Sequence, residues 1–450
     1  MAKTELRKSW ILAYGAPILP ISALHTPALS ILPGIYAKYA GIELAVLGTI
    51  LLVSRLFDVF TDPLIGFMSD RTNTRAGARK PWIAAGTLVV MIATWFWFRP
   101  GPETTAAYFL FWSLAVYIGW TMVEIPHAAW MGELTTDYAE RSRLSSFRAM
   151  AFYGGHILFF AIPFLPIFSS TEFTPETTAF TSWMIIALLG ISLIYMMKVL
   201  PSTRAQASIA DKPAPREILS ALFENRPFLI YFLSTLSGAL AGGMTAGLYF
   251  FFMTSYLDIG DKIAHVGLAA FVVSLFATQI WPPLMDRFGK HRTLAIASFG
   301  TILALAVMAT IRPGENAYPM MLAVFVMSAI TSSGSPVCSL AIMADVVDYD
   351  EWKTKKNKAA SYFAFVSIVG KAGIAVGGGL ALVIAGAFGF SVTGANDTVA
   401  MAGFYTAFLG IPVLLHLAAI ILVLNFPLDA RRHGIIRRRL DSLIERRASS

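Results

Sequence analysis

Asp58 and Asp62 stand four residues apart inside an apolar run that extends from about residue 44 to 68. Positions four apart share one face of a helix, one turn from each other. Thr61 adds a third oxygen beside them, and Arg55 precedes Asp58 by one turn. Two carboxylates and a hydroxyl are hard oxygen donors of the kind that hold a small cation. A carboxylate at bilayer depth costs several kcal/mol unless it is paired or wet, so such groups mark ion or substrate paths. Thr121 offers a hydroxyl from another apolar run. The remaining ionisable residues inside apolar runs are Glu124, Arg148 and Lys371. Three acids and three bases make a nearly neutral set, as a shared aqueous cavity requires.

Each of these residues has a plainer reading as well. Arg55 with Asp58 also reads as an ion pair internal to one helix. Asp62 precedes Pro63 and Glu124 stands two residues before Pro126, so either carboxylate can serve backbone groups freed by a proline. Arg148, close to a helix start, is long enough to snorkel to the interface. Lys371 sits mid-run between Gly370 and Gly373, too far from either end to do so. His25 and His156 read as packed residues. The glycines near Lys371 do not make a phosphate-binding loop, because Ala372 follows the lysine and position 365 is not glycine. Close helix packing accounts for them. No zinc-protease, serine-hydrolase or dinucleotide motif is present, so no enzyme is indicated.

The elements that must carry these residues are membrane helices. Of 450 residues, 56% are hydrophobic and only 14% charged, with a mean hydropathy of +0.65. Soluble domains carry about 25% charged residues. A spanning helix needs about 20 apolar residues, and such runs fall near 10–37, 44–68, 82–98, 105–129, 145–168 and 180–200. After a polar stretch come six more, near 227–256, 264–285, 293–311, 318–343, 360–388 and 401–426. The first run is too long for the apolar core of a signal peptide. The reading is an all-α membrane protein of twelve transmembrane helices in two pseudo-symmetric six-helix bundles. The bundles are 1–200 and 227–427, with a connector at 201–226 and a basic tail at 428–450.

Charge orients this array. With both termini cytoplasmic, 28 Lys and Arg fall in cytoplasmic segments and only Lys38, Arg99, Lys262 and Arg312 on the far side. The halves echo each other. Asp70, Arg71, Arg75 and Arg79 follow the second span, and Asp286, Arg287, Lys290 and Arg292 follow the eighth. These loops are expected to close the cytoplasmic side by ion pairs. Parallel six-span repeats are a transporter plan, with substrate between the halves. The arginine-rich tail reads as a helix on the anionic inner leaflet rather than a nucleic-acid binder. The single Cys338 excludes an intrachain disulfide.

At Asp58, Thr61-Asp62-Pro63, Gly66, Asp70-Arg71-Thr72 and Arg79-Lys80-Pro81-Trp82 the chain resembles the glycoside–pentoside–hexuronide:cation symporters, the melibiose-carrier-like branch of the major facilitator superfamily. Ala344-Asp345-Val346-Val347-Asp348-Tyr349 with Glu351-Trp352-Lys353, Glu124-Ile125-Pro126, Arg148 and Lys371 extend the resemblance. It implies an alternating-access symporter driven by Na⁺, H⁺ or Li⁺ and carrying a sugar or glycoside, with no cofactor beyond that ion. Asp58, Asp62, Thr61 and Thr121 would hold the cation, with no metal expected except Na⁺ at Asp58 and Asp62. Glu124, Arg148, Ser22 and Trp120 would meet the substrate. Lys371, Arg55, Asp70 and Arg71 would couple and gate. The chain departs from the family pattern at Thr61 (asparagine there), at Ser22 (an acid) and at Ala128 (an aromatic). A monomer in a bacterial inner membrane is expected. A lysolipid or other amphiphile is the alternative cargo, suited by an apolar first helix with Pro17, Pro20 and Pro27. A membrane sensor that binds without transporting is the alternative function.

Overall fold

The computed structural model describes residues 6–101, 103–135, 137–202, 224–354, 359–429 and 432–440. Among them the secondary structure is helical, apart from an isolated bridge between Thr74 and Gly77. Twelve helices of spanning length follow one another. In the first half they are α1 (Lys8–Ala40), α2 (Leu44–Arg71), α3 (Lys80–Trp97), α4 (Ala106–Leu134), α5 (Tyr138–Ala161) and α6 (Pro175–Val199). In the second they are α7 (Arg226–Tyr256), α8 (Gly260–Phe288), α9 (Lys290–Met308), α10 (Ala317–Thr354), α11 (Ala359–Ala387) and α12 (Thr398–Leu424). The shortest, α3, has 18 residues, or about 27 Å at 1.5 Å per residue, which still matches a hydrocarbon core of about 30 Å. The connector 203–223 and the tail beyond 440 lie outside the described residues.

Helix starts follow local chemistry. The side chains of Thr105, Asp137 and Thr174 accept from backbone amides at the starts of α4, α5 and α6, replacing partners that a first turn lacks. The Asp137 cap lets α5 begin before its apolar run, and residues 138–144 are helix rather than loop. Prolines distort α1. It contains a turn at Ala16–Pro17 and a π-helical stretch at Pro27–Ile31, because a proline ring removes an N–H and clashes with the preceding turn. The basic loop 286–292 shrinks to a single non-helical residue, Gly289 at φ +86°, a conformation that side chains with a Cβ rarely adopt. Helix α10 runs eleven residues past its apolar stretch, to Thr354, and holds Asp345, Asp348 and Asp350 on helix.

Compactness divides the chain along a line different from the 200/227 division in sequence. One unit comprises Met1–Ile209, Ala246–Phe271 and Leu382–Gly403, and the other Ala210–Thr245, Val272–Ala381 and Phe404–Ser450. Within the first unit, Gly34 lies where a Cβ would overlap the Phe250 ring, and Gly267 is equally tight against Phe160. Thr171 Oγ1 donates to the Asp261 carbonyl at 2.6 Å. The ends of α7, α8 and α11 distant from the basic loops therefore pack with the first six helices. Within the second unit, Gly373 and Gly377 bring α11 against Leu236, Ala239 and Leu240 of α7, the close packing that small residues permit.

Candidate functional site

The site residues of the first unit lie on facing stripes of α2 and α4. Arg55, Asp58 and Asp62 occupy positions i, i+3 and i+7 of α2; Tyr117, Thr121 and Glu124 occupy i, i+4 and i+7 of α4. Close approach of α3 to α4 steadies that wall, since Gly86 packs on Met122 and the Gly119 carbonyl. Arg55 Nη1 donates to Asp58 Oδ2 at 2.9 Å, and its guanidinium carbon lies 4.0 Å from the centroid of the Tyr117 ring. A cation held on a ring face and a carboxylate at once is fixed in direction. Thr121 Oγ1 donates to Asp62 Oδ1 at 2.8 Å across the two helices. Asp58 thus meets the guanidinium of Arg55, and Asp62 the hydroxyl of Thr121.

Thr61 gives its hydroxyl proton to its own helix, to the Phe57 carbonyl at 3.2 Å. This back-bonding is common for threonine in helices and leaves only oxygen lone pairs toward any ion. Glu124 Oε1 accepts from Arg148 Nη2 at 3.3 Å. Arg148 therefore turns to α4 and is about one-quarter exposed, rather than extending to the interface. Trp120 meets His25 edge-on at 5.5 Å between centroids. Ser22 is buried between α1 and α5: its hydroxyl donates to the Leu19 carbonyl at 2.9 Å, and the Ala151 carbonyl is 3.4 Å away. A Cβ at Gly155 would overlap it, so Ser22 sits at a helix–helix contact. Lys371 belongs to the second unit, on α11, where it is exposed.

Asp70 Oδ1 accepts from Arg79 Nη1 at 2.8 Å. The same guanidinium reaches Glu133 at 2.8 Å and the Ser69 hydroxyl at 3.0 Å, so Arg79 ties together the ends of α2 and α4. Arg71 instead lies 3.8 Å over the Phe67 ring of its own helix.

Sequence reading passed over three contributors. Tyr117 continues the Thr121–Glu124 stripe, and that spacing was available. Arg79 was visible only as one basic residue among several. His127 is fully buried; its Nε2 lies 2.7 Å from the Tyr14 carbonyl, and its own carbonyl accepts from Tyr14 Oη at 3.1 Å. Two bonds and a stacked pair of rings clasp α1 to α4 one turn from Glu124. Nothing in the sequence pairs a histidine with a tyrosine 113 positions away.

Twelve spanning helices with a carboxylate-rich stripe at membrane depth define a multi-pass integral membrane transporter of the major facilitator fold. The family model described as MFS/sugar transport protein matches residues 13–430, and the chain belongs to that family. It is 23% identical to the Putative glycoside/cation symporter YagG of Escherichia coli (strain K12), covering 99% of this chain and 97% of that one. It is 26% identical to the Isoprimeverose transporter of Lactiplantibacillus pentosus, over 84% and 80% of the two chains. A Sodium-dependent lysophosphatidylcholine symporter 1 of Mus musculus is 23% identical, over 66% and 62%. Among solved structures, a bacterial homologue of the human lysosomal transporter Spinster superposes with a TM-score of 0.64 at 15% identity, over 95% and 97% of the chains. That likeness shows the fold.

Proposed function

We propose that the protein carries a sugar or glycoside across a bacterial inner membrane, driven by a monovalent cation, by alternating access of its two six-helix halves. The observation that carries this reading is the α2–α4 contact: Asp62 held by Thr121 and Asp58 by Arg55. The formal charges of Arg55, Asp58 and Asp62 sum to −1, which suits one Na⁺ or one proton. Like-charged carboxylates a turn apart raise each other's affinity for either. Glu124 and Arg148 offer an acceptor and a forked donor for hydroxyl groups, and Trp120 and His25 an aromatic wall beside them. Lys371 competes with the cation. The excess of Lys and Arg on one side supports a cytoplasmic position for both termini. The relatives named as a putative glycoside/cation symporter and as an isoprimeverose transporter support the cargo class.

The test is uptake into membrane vesicles of a panel of labelled glycosides under an imposed Na⁺ or proton gradient. Asp58→Asn and Asp62→Asn should each abolish accumulation while leaving the protein folded. Accumulation against a gradient by either variant sinks the coupling assignment. The second reading, a lysolipid cargo, draws on the mouse relative's name and on the π-distorted first helix. Inhibition of glycoside uptake by micromolar lysophosphatidylcholine, with no effect of competing sugars, would favour it.

A further inference from the structure

Past the last span the chain turns back onto the second unit as a short helix, residues 432–440. Asp429 starts it: its Oδ1 accepts from the Arg432 amide at 2.7 Å, and its carbonyl accepts from the His433 amide at 2.9 Å. The helix presents three different stripes. His433 and Arg437, four apart, face α10. His433 Nε2 lies 2.9 Å from Asp348 Oδ2 and 3.4 Å from Asp345 Oδ1, and Arg437 Nη1 lies 3.4 Å from Asp348 Oδ1. Ile436 and Leu440 are buried in an apolar cluster with Val346, Val347 and Phe426. Residues 432–440 of the tail are thus held to the protein by the carboxylates and apolar groups of the α10 end.

The remaining stripe, Arg432, Ile435 and Arg439 at i, i+3 and i+7, lines a cavity of about 350 Å³ together with Ile436 of the apolar stripe. Its other walls are Arg226 and Pro227 at the start of α7, and Tyr349 and Trp352 near the end of α10. The Arg439 guanidinium carbon lies 5.9 Å from the centroid of the Trp352 ring. Arg432 Nη1 donates to the Pro427 carbonyl at 2.8 Å, which sets the direction of that side chain. Three arginines from two segments thus line the cavity together with aromatic and aliphatic side chains. The volume exceeds that of a bare phosphate and reaches the lower range of small-molecule sites, roughly 300–1,000 Å³.

We infer that this cavity binds the headgroup of an anionic phospholipid of the cytoplasmic leaflet, its phosphate held by Arg226, Arg432 and Arg439 and its glycerol end on Tyr349, Trp352 and Ile436. Guanidinium groups pair with phosphate oxygens in two-pronged fashion. Tyrosine and tryptophan favour the depth of the headgroups, and basic pockets at helix ends on the cytoplasmic side suit such lipids. The site joins α7, α10 and the tail, so an occupied cavity ties the tail to the second unit. The assignment uses the orientation proposed above but none of the cation or sugar chemistry.

The experiment is binding of dioleoyl-phosphatidylglycerol to the purified full chain in neutral detergent, read by native mass spectrometry. Dioleoyl-phosphatidylcholine and inorganic phosphate serve as the other arms. Wild type should retain phosphatidylglycerol in preference to phosphatidylcholine. Arg226→Gln, Arg432→Gln and Arg439→Gln should each weaken that binding by roughly fivefold or more. Arg438→Gln removes the same charge from a side chain whose Nε donates to the Gly434 carbonyl of its own helix; it lies off the cavity stripe and should change nothing. Trp352→Leu, which keeps the cavity apolar, should weaken binding less than the arginine changes and reports independently if an arginine variant fails to fold. Equal loss in all four arginine variants would show unspecific attraction and overturn the site. Displacement of the lipid by inorganic phosphate alone would overturn the lipid in favour of a free anion. Binding unaffected by any of these variants would overturn both.

Discussion

Each half of the chain closes its basic end with a charge cluster at the corresponding place in sequence, but the two are built with opposite polarity. After α2 the hub is a cation. The Arg79 side chain is only 6% exposed and holds Asp70 at 2.8 Å and Glu133 at 2.8 Å. Where α8 gives way to α9, the hub is a carboxylate supplied by α10. Asp345, 9% exposed, is held by Lys290 at 2.6 Å and approached by His433 at 3.4 Å. In the first cluster Arg79, just before α3, joins α2 to α4. The second recruits the tail, through His433 and Arg437 on Asp348. A planar fork satisfies two acids from one buried position, whereas a carboxylate hub draws its cations from long, partly exposed side chains. The first cluster should therefore act as a rigid brace, and the second as a junction whose strength depends on the tail.

Three measurements can break that contrast. Arg79→Ala takes away a group that meets both Asp70 and Glu133, and loss of one partner from a buried pair costs about 3 kcal/mol or more. The thermal midpoint of the detergent-purified protein should fall most for this change, and Arg79→Lys, without the fork, should recover only part of the loss. Lys290→Ala should cost less, about 1–2 kcal/mol, because that lysine is 38% exposed and His433 remains beside Asp345. The double change His433→Ala/Arg437→Ala should move the midpoint least, by under about 1 kcal/mol. It should instead speed protease cleavage near residue 430, as the tail leaves α10. If the double change lowers the midpoint as far as Arg79→Ala, the tail is a brace and the contrast fails.

Much of this was legible in the chain itself. The spacing of Arg55, Asp58 and Asp62 placed them on one face of α2 without any structure, since helical period alone decides that. The apolar runs located the twelve spans, with ends shifted where a cap or an ion pair acts: α5 starts early at Asp137, and α10 runs on through Asp345 and Asp348. Other features were not legible. Ser22 aligns with a substrate position by sequence, yet it lies against Gly155 at a packed contact. Whether a small polar side chain meets a neighbouring backbone or a cavity depends on how α1 is turned, and that turn is set by the prolines and the His127–Tyr14 clasp. The tail showed as basic, but its docking needed acids 85 positions earlier in the chain.

The amino-acid order by itself determined the membrane fold, the asymmetry of its basic charge, and the acidic stripe of α2. These depend on local composition and on the 3.6-residue period, which act within one helix. Only the tertiary structure decided that Thr121 holds Asp62, that Tyr117 lies under Arg55, that Arg148 turns to Glu124, and that the tail closes a cavity with α7 and α10. Those pairings depend on which face of one helix meets which face of another. Glycine contacts such as Gly86 on Gly119 set the approach of helices far apart in sequence, and no period within a single helix encodes it.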